Sequence, residues 1–180
     1  VDKKTYLFSK FYRHLYKINI RKNKHVYVQQ HWMANEFQLI YGIKNIIVAP
    51  LSHKSAYVPN KIKINDALST HIGAKGFPNR KLFLFPSYPR PFKNFEVICE
   101  AFEQIDKNLD CAVLLTIDGS ENVYAKNIVE KYGKNNKIKF IGIQPRSIMT
   151  FLYEKVDALI FPSKLETWGL PLSEFSLTGK

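Results

Sequence analysis

The 180-residue chain holds only two cysteines, Cys99 and Cys111. Both lie within apolar patterns and neither belongs to a metal-ligand spacing. That excludes a disulfide-stapled scaffold and fits two buried thiols in a reducing compartment. The five histidines make no zinc spacing either. No apolar run approaches the roughly 18 residues of a membrane-spanning helix. The start, Val1-Asp2-Lys3-Lys4, has no initiator Met and no signal-peptide pattern. There is no Asp-x-Asp pair, and Gly142-Ile143-Gln144 lacks the glycines of a dinucleotide fingerprint. Repeats at solenoid period and low-complexity tracts are also missing. Acidic residues are scarce towards the N-terminus, where residues 1–60 carry 10 Lys/Arg against 2 Asp/Glu; the whole chain has a formal charge of +12. Such a basic surface suits an anionic membrane face or an anionic ligand. Without zinc-finger spacing, an RNP motif or an arginine-rich tract, nucleic acid is not the expected partner.

What is present is a regular alternation of elements. Residues 5–18 place Leu7, Phe11, Leu15 and Ile18 at helical spacing. A strand at His25–Gln30, a helix at His31–Tyr41 with Met33, Phe37, Ile40 and Tyr41 as its stripe, and a strand at Ile46–Ala49 follow. Gly42 is the expected stop of that helix. Polar and turn residues punctuate the next stretch, read as a linker. Strands are then expected at Leu82–Phe85, Ala112–Ile117, Ile138–Ile141 and Asp157–Phe161. The helices between and after them are a helix capped by Asn94 with Phe95, Ile98, Ala101, Phe102 and Ile105 as its apolar face, then Glu121–Tyr132 ended by Gly133, Ser147–Glu154 and Leu170–Leu177. Four strand–helix pairs in series predict an α/β fold, a doubly wound parallel sheet, with a partial second domain before it. The expected division is 1–55, a linker at 56–80, and 81–180. Gly179-Lys180 falls in what reads as a helix, so both ends of the chain are expected to be cut.

In such sheets ligands bind beyond the carboxyl ends of the strands. Two segments occupy that position. Pro162-Ser163-Lys164-Leu165-Glu166-Thr167-Trp168-Gly169-Leu170-Pro171-Leu172-Ser173-Glu174 follows the last strand and has seven residues between its two outer glutamates. Gly169 lets the backbone approach a ligand, and Pro171 suits the first helical turn. The amides near Gly169 and Leu170 can then seat a phosphate, with Glu174 in reach of ribose hydroxyls and Glu166 of sugar hydroxyls. Pro86-Ser87-Tyr88-Pro89-Arg90-Pro91-Phe92-Lys93-Asn94 follows the first strand of the sheet. Arg90 offers a fork and Lys93 a point charge to phosphate oxygens. Asp118-Gly119-Ser120 reads as a turn, and His31 and Trp32 as a helix start and a packing residue.

Glu166 to Glu174 resembles the Glu-x7-Glu motif of retaining GT-B glycosyltransferases of the group-1 (family 4) type. Tyr153 to Ser163 resembles the approach to that motif, Phe85 to Asn94 the family's phosphate-contacting loop, and residues 26–50 the end of its N-terminal domain. The resemblance implies transfer of a sugar from a UDP- or GDP-linked donor, with retention, to a glycan or lipid-linked acceptor. The expected setting is surface polysaccharide biosynthesis, in the cytoplasm or on the inner membrane face. Glu166, Lys93 and Arg90 take the catalytic roles; Glu174, Gly169, Leu170, Thr167 and Ser87 bind the donor. No metal and no cofactor is implied. Residues 1–55 become the end of an acceptor-side domain. Three departures stand out: Ser87 occupies a position where the family often has Arg, Thr167 replaces a frequent Gly, and the sequence stops six residues after Glu174, so the family's last strands are expected to be missing from it. The piece alone is expected to be inactive. A GT-B nucleotide-sugar epimerase and a basic nucleic-acid-binding module remain as alternatives.

Overall fold

The computed structural model describes residues 3–50 and 80–180. It divides into two compact units, Val1–Ser52 and His53–Lys180. The expected linker, apart from Arg80, lies outside the described residues.

In the first unit, helix α1 (Lys3–Asn19) runs into a short 3-10 turn, followed by strand β1 (Val26–Val28), helix α2 (His31–Tyr41) and strand β2 (Ile46–Val48). The two strands pair in parallel, with Val26 opposite Ile46 and Val28 opposite Val48. Val28 is buried and Tyr27 exposed, as a period-2 strand requires. Gly42 ends α2 with φ +65°, a left-handed conformation that suits glycine. The α2 stripe differs from expectation at Ile40, which is exposed; Ala34 joins Met33, Phe37 and Tyr41 among the half-buried positions. Three of the four apolar positions expected to form the stripe of α1, namely Leu7, Phe11 and Ile18, are exposed too.

The second unit is a four-stranded sheet. Its elements are β3 (Lys81–Phe85), α3 (Phe95–Gln104), β4 (Cys111–Leu115), α4 (Val123–Tyr132), β5 (Ile138–Phe140), α5 (Arg146–Lys155), β6 (Ala158–Leu159) and α6 (Leu170–Ser176). All pairings are parallel and the order is β5-β4-β3-β6. Successive side chains of a strand point to opposite faces, and both faces are covered. Phe85, Val113 and Leu115 pack with Phe95, Phe102 and Tyr132 of α3 and α4. Leu82, Leu84, Ala112 and Leu114 pack with Leu152 and Tyr153 of α5 and with Val156 just after it, and Phe175 of α6 lies against them. The sheet is doubly wound, as expected. The chain steps outward from β3 to β4 to β5 and then returns to the other side of β3. The switch point therefore falls between β3 and β6.

Several local readings are corrected. Asn94 precedes α3 but does not cap it; it sits at φ +61° and its side chain makes no capping bond. The Tyr124 hydroxyl accepts from Phe95 N–H instead, at 3.3 Å. Cys99, not Ala101, completes the buried face of α3, because 95, 98, 99 and 102 follow the helical period. Ile105 lies just beyond the helix. Helix α4 starts at Val123, capped by Asn122 Oδ1 on Ala125 N–H, while Glu121 stays in the preceding turn. Gly133 does end α4, yet in right-handed conformation; a Cβ there would lie 2.6 Å from Val129 O, so space is the constraint. Strand β6 is two residues long and half-buried; among the described residues it lies at the sheet edge, paired with β3.

Asp157 fixes where β6 meets β3. Its carboxylate accepts from Lys81 Nζ and from Leu82 N–H, both at 2.8 Å. These bonds, Lys81 first, hold the Asp157 carboxyl below its usual range. A carboxyl lowered in the folded state stabilises above its unfolded pKa, and that contribution fades as pH falls through the folded pKa. Asp157→Asn is expected to lower stability at neutral pH and to flatten the loss of stability below about pH 4, as read by denaturant unfolding at a series of pH values.

Candidate functional site

The carboxyl ends of β3 and β6 are neighbours, so the loops that leave them run side by side. Three contacts bind these loops together. Lys164 N–H donates to Phe92 O at 2.8 Å, Asn94 Nδ2 reaches Pro162 O at 3.5 Å, and the Lys93 ammonium pairs with the Glu166 carboxylate. Both charged side chains are mostly buried, which strengthens the pair relative to one in open water. An ammonium has three N–H donors, so Lys93 retains capacity beyond Glu166. Its Nζ also lies 5.5 Å from the Phe92 ring centre.

Behind this pair, α6 begins. Gly169 caps it at φ +74° in the left-handed region, where a side chain would be strained. Leu170 is the first helical residue and Pro171 follows in the first turn. The helix is only seven residues long, ending at Ser176, so its dipole is a minor charge beside Lys93.

Glu174 is on a different side of the site from Lys93 and Glu166. It is 5% exposed and faces α5. Tyr153 Oη donates to its Oε2 at 3.0 Å, and Arg146 Nη1 lies 2.6 Å from its Oε1. The Arg146 contact is an ion pair off the hydrogen-bond axis, and no described donor hydrogen-bonds Oε1. Burial, then Glu174, pushes the Tyr153 hydroxyl far above its usual range, so it stays a donor at any ordinary pH.

The Tyr153 ring also lines a cavity of about 240 Å³ together with Ser87, Tyr88, Thr116, Ile143 and Gln144. Ser87 is held there by its backbone: its N–H donates to Thr116 Oγ1 at 3.0 Å. Arg90 is exposed and sits over the Tyr88 ring, 5.2 Å from its centre. Thr167 is exposed. Asp118-Gly119-Ser120 is a turn, closed by the Glu121 carboxylate on the Asp118 and Gly119 amides at 3.0 Å each. It packs against the loop after β5, where a Cβ on Gly142 would meet Asp118 Oδ2 at 2.8 Å. Among the described residues no three His, Cys, Asp or Glu side chains gather as a metal site, and no helix is long and apolar enough to cross a membrane.

Of the residues named from sequence, Lys93 and Glu166 are brought into contact, and Gly169 and Leu170 open α6 three and four residues after Glu166. Ser87 lines the cavity, Arg90 rests on its rim residue Tyr88, and Glu174 lies apart, buried against α5. Sequence reasoning missed Arg146 and Tyr153. A signal existed for Arg146: Gly142 to Arg146 follows the third strand of the sheet, at the same edge as the other two loops.

A doubly wound α/β domain with two linked loops at its switch point belongs to the class that binds ligands at that edge. The profile of the family described as "Glycosyl transferases group 1" matches residues 70–179. The chain belongs to this family of glycosyl transferases. No curated protein matches the sequence. Among solved structures, a sucrose-phosphate synthase from Thermosynechococcus elongatus superposes with a TM-score of 0.74 at 15% identity, covering 95% of this chain and 43% of that one. HepE from Anabaena, solved with UDP and glucose, gives 0.69 at 18% identity, covering 93% and 46%. HepE with UDP-glucose gives 0.64, also at 18% identity, covering 87% and 43%. At these identities the likeness establishes the fold. The chain spans less than half the length of each of these structures.

The Tyr153–Glu174 bond yields a direct test. Tyr153→Phe removes one donor to a buried carboxylate and is expected to cost about 1–3 kcal/mol of stability, measured by chemical denaturation.

Proposed function

We propose that the protein is a retaining glycosyltransferase of the family-4 type. In this reading residues 81–180 bind the donor, residues 1–55 close the acceptor-side domain, and 56–80 link the two. The donor is a UDP- or GDP-linked sugar. The acceptor is a glycan or a lipid-linked glycan, in surface polysaccharide biosynthesis. The observation that carries the reading is the pairing of Lys93 with Glu166, three residues before the helix start at Gly169, with a buried acceptor at Glu174 on that same short helix. HepE, which shares the fold, was solved with UDP-glucose, and this supports the choice of donor class.

Donor cleavage leaves the bonding electron pair on the phosphate oxygen, adding one negative charge to a diphosphate that already carries two. Fixed positive charge aimed at developing negative charge lowers the barrier most effectively when it is already in place. Lys93 is pre-positioned by Glu166 and keeps two N–H donors for phosphate oxygens. Arg90, exposed over Tyr88, supplies a second cation, and the Gly169 and Leu170 amides, at the helix start, supply backbone N–H groups. Glu166, mostly buried beside Lys93, orients the donor sugar. Glu174 takes the ribose hydroxyls, completing the hydrogen bonding of Oε1. The cavity lined by Ser87, Tyr88 and Tyr153 accommodates the base, with Thr167 at the outer edge of the donor site. In this scheme the acceptor attacks the face the diphosphate leaves. Neither a metal nor a protein nucleophile is assigned a step.

A peripheral position on the inner face of the membrane is part of the same proposal. Helix α1 carries no acidic residue and exposes Leu7, Phe11 and Ile18 together with Lys10, Arg13 and Lys17. Basic amphipathic helices of this kind favour anionic lipid surfaces.

Calorimetric titration of the chain with UDP and GDP tests the donor site. One of them is expected to bind, Lys93→Ala to weaken binding at least about tenfold, as for loss of a charge-assisted hydrogen bond, and Glu174→Ala to weaken it comparably. Binding that is unaltered by both substitutions would overturn the assignment.

A further inference from the structure

We propose that Arg146 is a positioning residue for the ligand's ribose, acting through Glu174. This rests on the reading of Glu174 as the ribose-binding carboxylate. Three observations support it.

The first is electrostatic. Glu174 is 5% exposed, and an isolated buried carboxylate is strongly disfavoured unless a cation compensates it. Arg146 Nη1, at 2.6 Å, is that cation. Lys93 pairs with Glu166 and Arg90 lies over Tyr88; the described ion pair of Glu174 is with Arg146. The Arg146 side chain itself is 53% exposed, and its own desolvation is therefore modest.

The second is geometric. Arg146 opens α5 and Tyr153 lies seven residues later, two turns along the same face. They hold one oxygen each, Arg146 Oε1 and Tyr153 Oε2. The carboxylate plane is thus fixed by a single rigid helix. Yet Oε1 has no hydrogen bond from any described donor. Arg146 compensates its charge without hydrogen-bonding it, so a lone pair remains on this enclosed oxygen for a hydroxyl that enters as the side chains covering it move aside on binding.

The third is the cost of the placement. Arg146 is the first residue of α5, after Pro145 at φ −64°. A cation in the first turn meets the positive end of the helix dipole and destabilises the helix slightly. Helix formation therefore does not account for an arginine there, whereas a buried acidic partner does.

The test separates this role from a structural one. The wild-type chain is titrated calorimetrically with UDP, or with GDP if that is the nucleotide it binds, and with the 2′,3′-dideoxy form of the same nucleotide. Wild type is expected to prefer the hydroxylated ligand by about tenfold. Arg146→Met is expected to lose about that factor for the hydroxylated ligand and nothing for the dideoxy one, so the preference collapses. Arg146→Lys, which keeps the charge without the fork, is expected to restore part of it; this variant also serves if Arg146→Met does not fold. The proposal is overturned if Arg146→Met keeps the hydroxyl preference, or loses affinity for both ligands equally. If wild type itself shows no preference, the ribose role of Glu174 fails, and the role of Arg146 with it. Retained preference in the variant fails the role of Arg146 alone.

Discussion

Parallel pairing of β3 on both sides is the constraint on which the site depends. With β4 on one edge and β6 on the other, the chain reverses direction across the sheet at β3. The helices after β3 and β6 cover opposite faces, which leaves a crevice between the loops at the strands' carboxyl ends. Everything proposed to touch the diphosphate or the sugar hangs from these two loops. The Lys164–Phe92 backbone bond and the Lys93–Glu166 pair keep them together. Strand β6 is very short for such a task, and Asp157, bonded to the start of β3, holds it in register.

The two glutamates of the motif lie in different environments, and the proposed function gives them different roles. Glu166 is partly accessible and paired to a lysine in the crevice. Glu174 is shut between α5 and α6 with a tyrosine and an arginine. A pair of carboxylates used for acid–base chemistry would need to converge on one bond; these two have no described partner in common. Under the proposed function each grips a different part of one donor. One of the two, Glu174, carries an unfilled acceptor inside the fold. Local incompleteness of this sort is tolerated where a ligand completes it, and the packed aromatic core of Phe85, Phe95 and Tyr132 stabilises the scaffold that holds it.

Much of this was legible in the sequence, for definable reasons. Runs such as Ala112–Leu115, apolar at every position, announce a strand covered on both faces, and glycines at 42 and 133 mark helix ends as placed. The Glu-x7-Glu string and the loop at 86–94 could be assigned to one edge because topology alone sets that edge. What could not be read were partners distant in the chain. Tyr124 capping the helix after Asn94 depends on tertiary packing, and so does the ion pair of Arg146 with a glutamate 28 positions away. Ala101 and Ile40 were misplaced because a helical stripe is wide enough to admit more than one choice at its margins. The apolar residues of α1 are spaced for burial and yet lie exposed, which periodicity, blind to what the helix meets, could not foresee.

The most direct measurement is a crystal structure of the chain with a bound nucleoside diphosphate. The expected result is a diphosphate between Lys93 and the Gly169–Leu170 backbone, ribose hydroxyls on Glu174 Oε1, and the base in the cavity beside Tyr88 and Tyr153. A nucleotide bound elsewhere, or one bound here with Glu174 out of reach of its ribose, would contradict the assignment of the two glutamates to opposite parts of one donor.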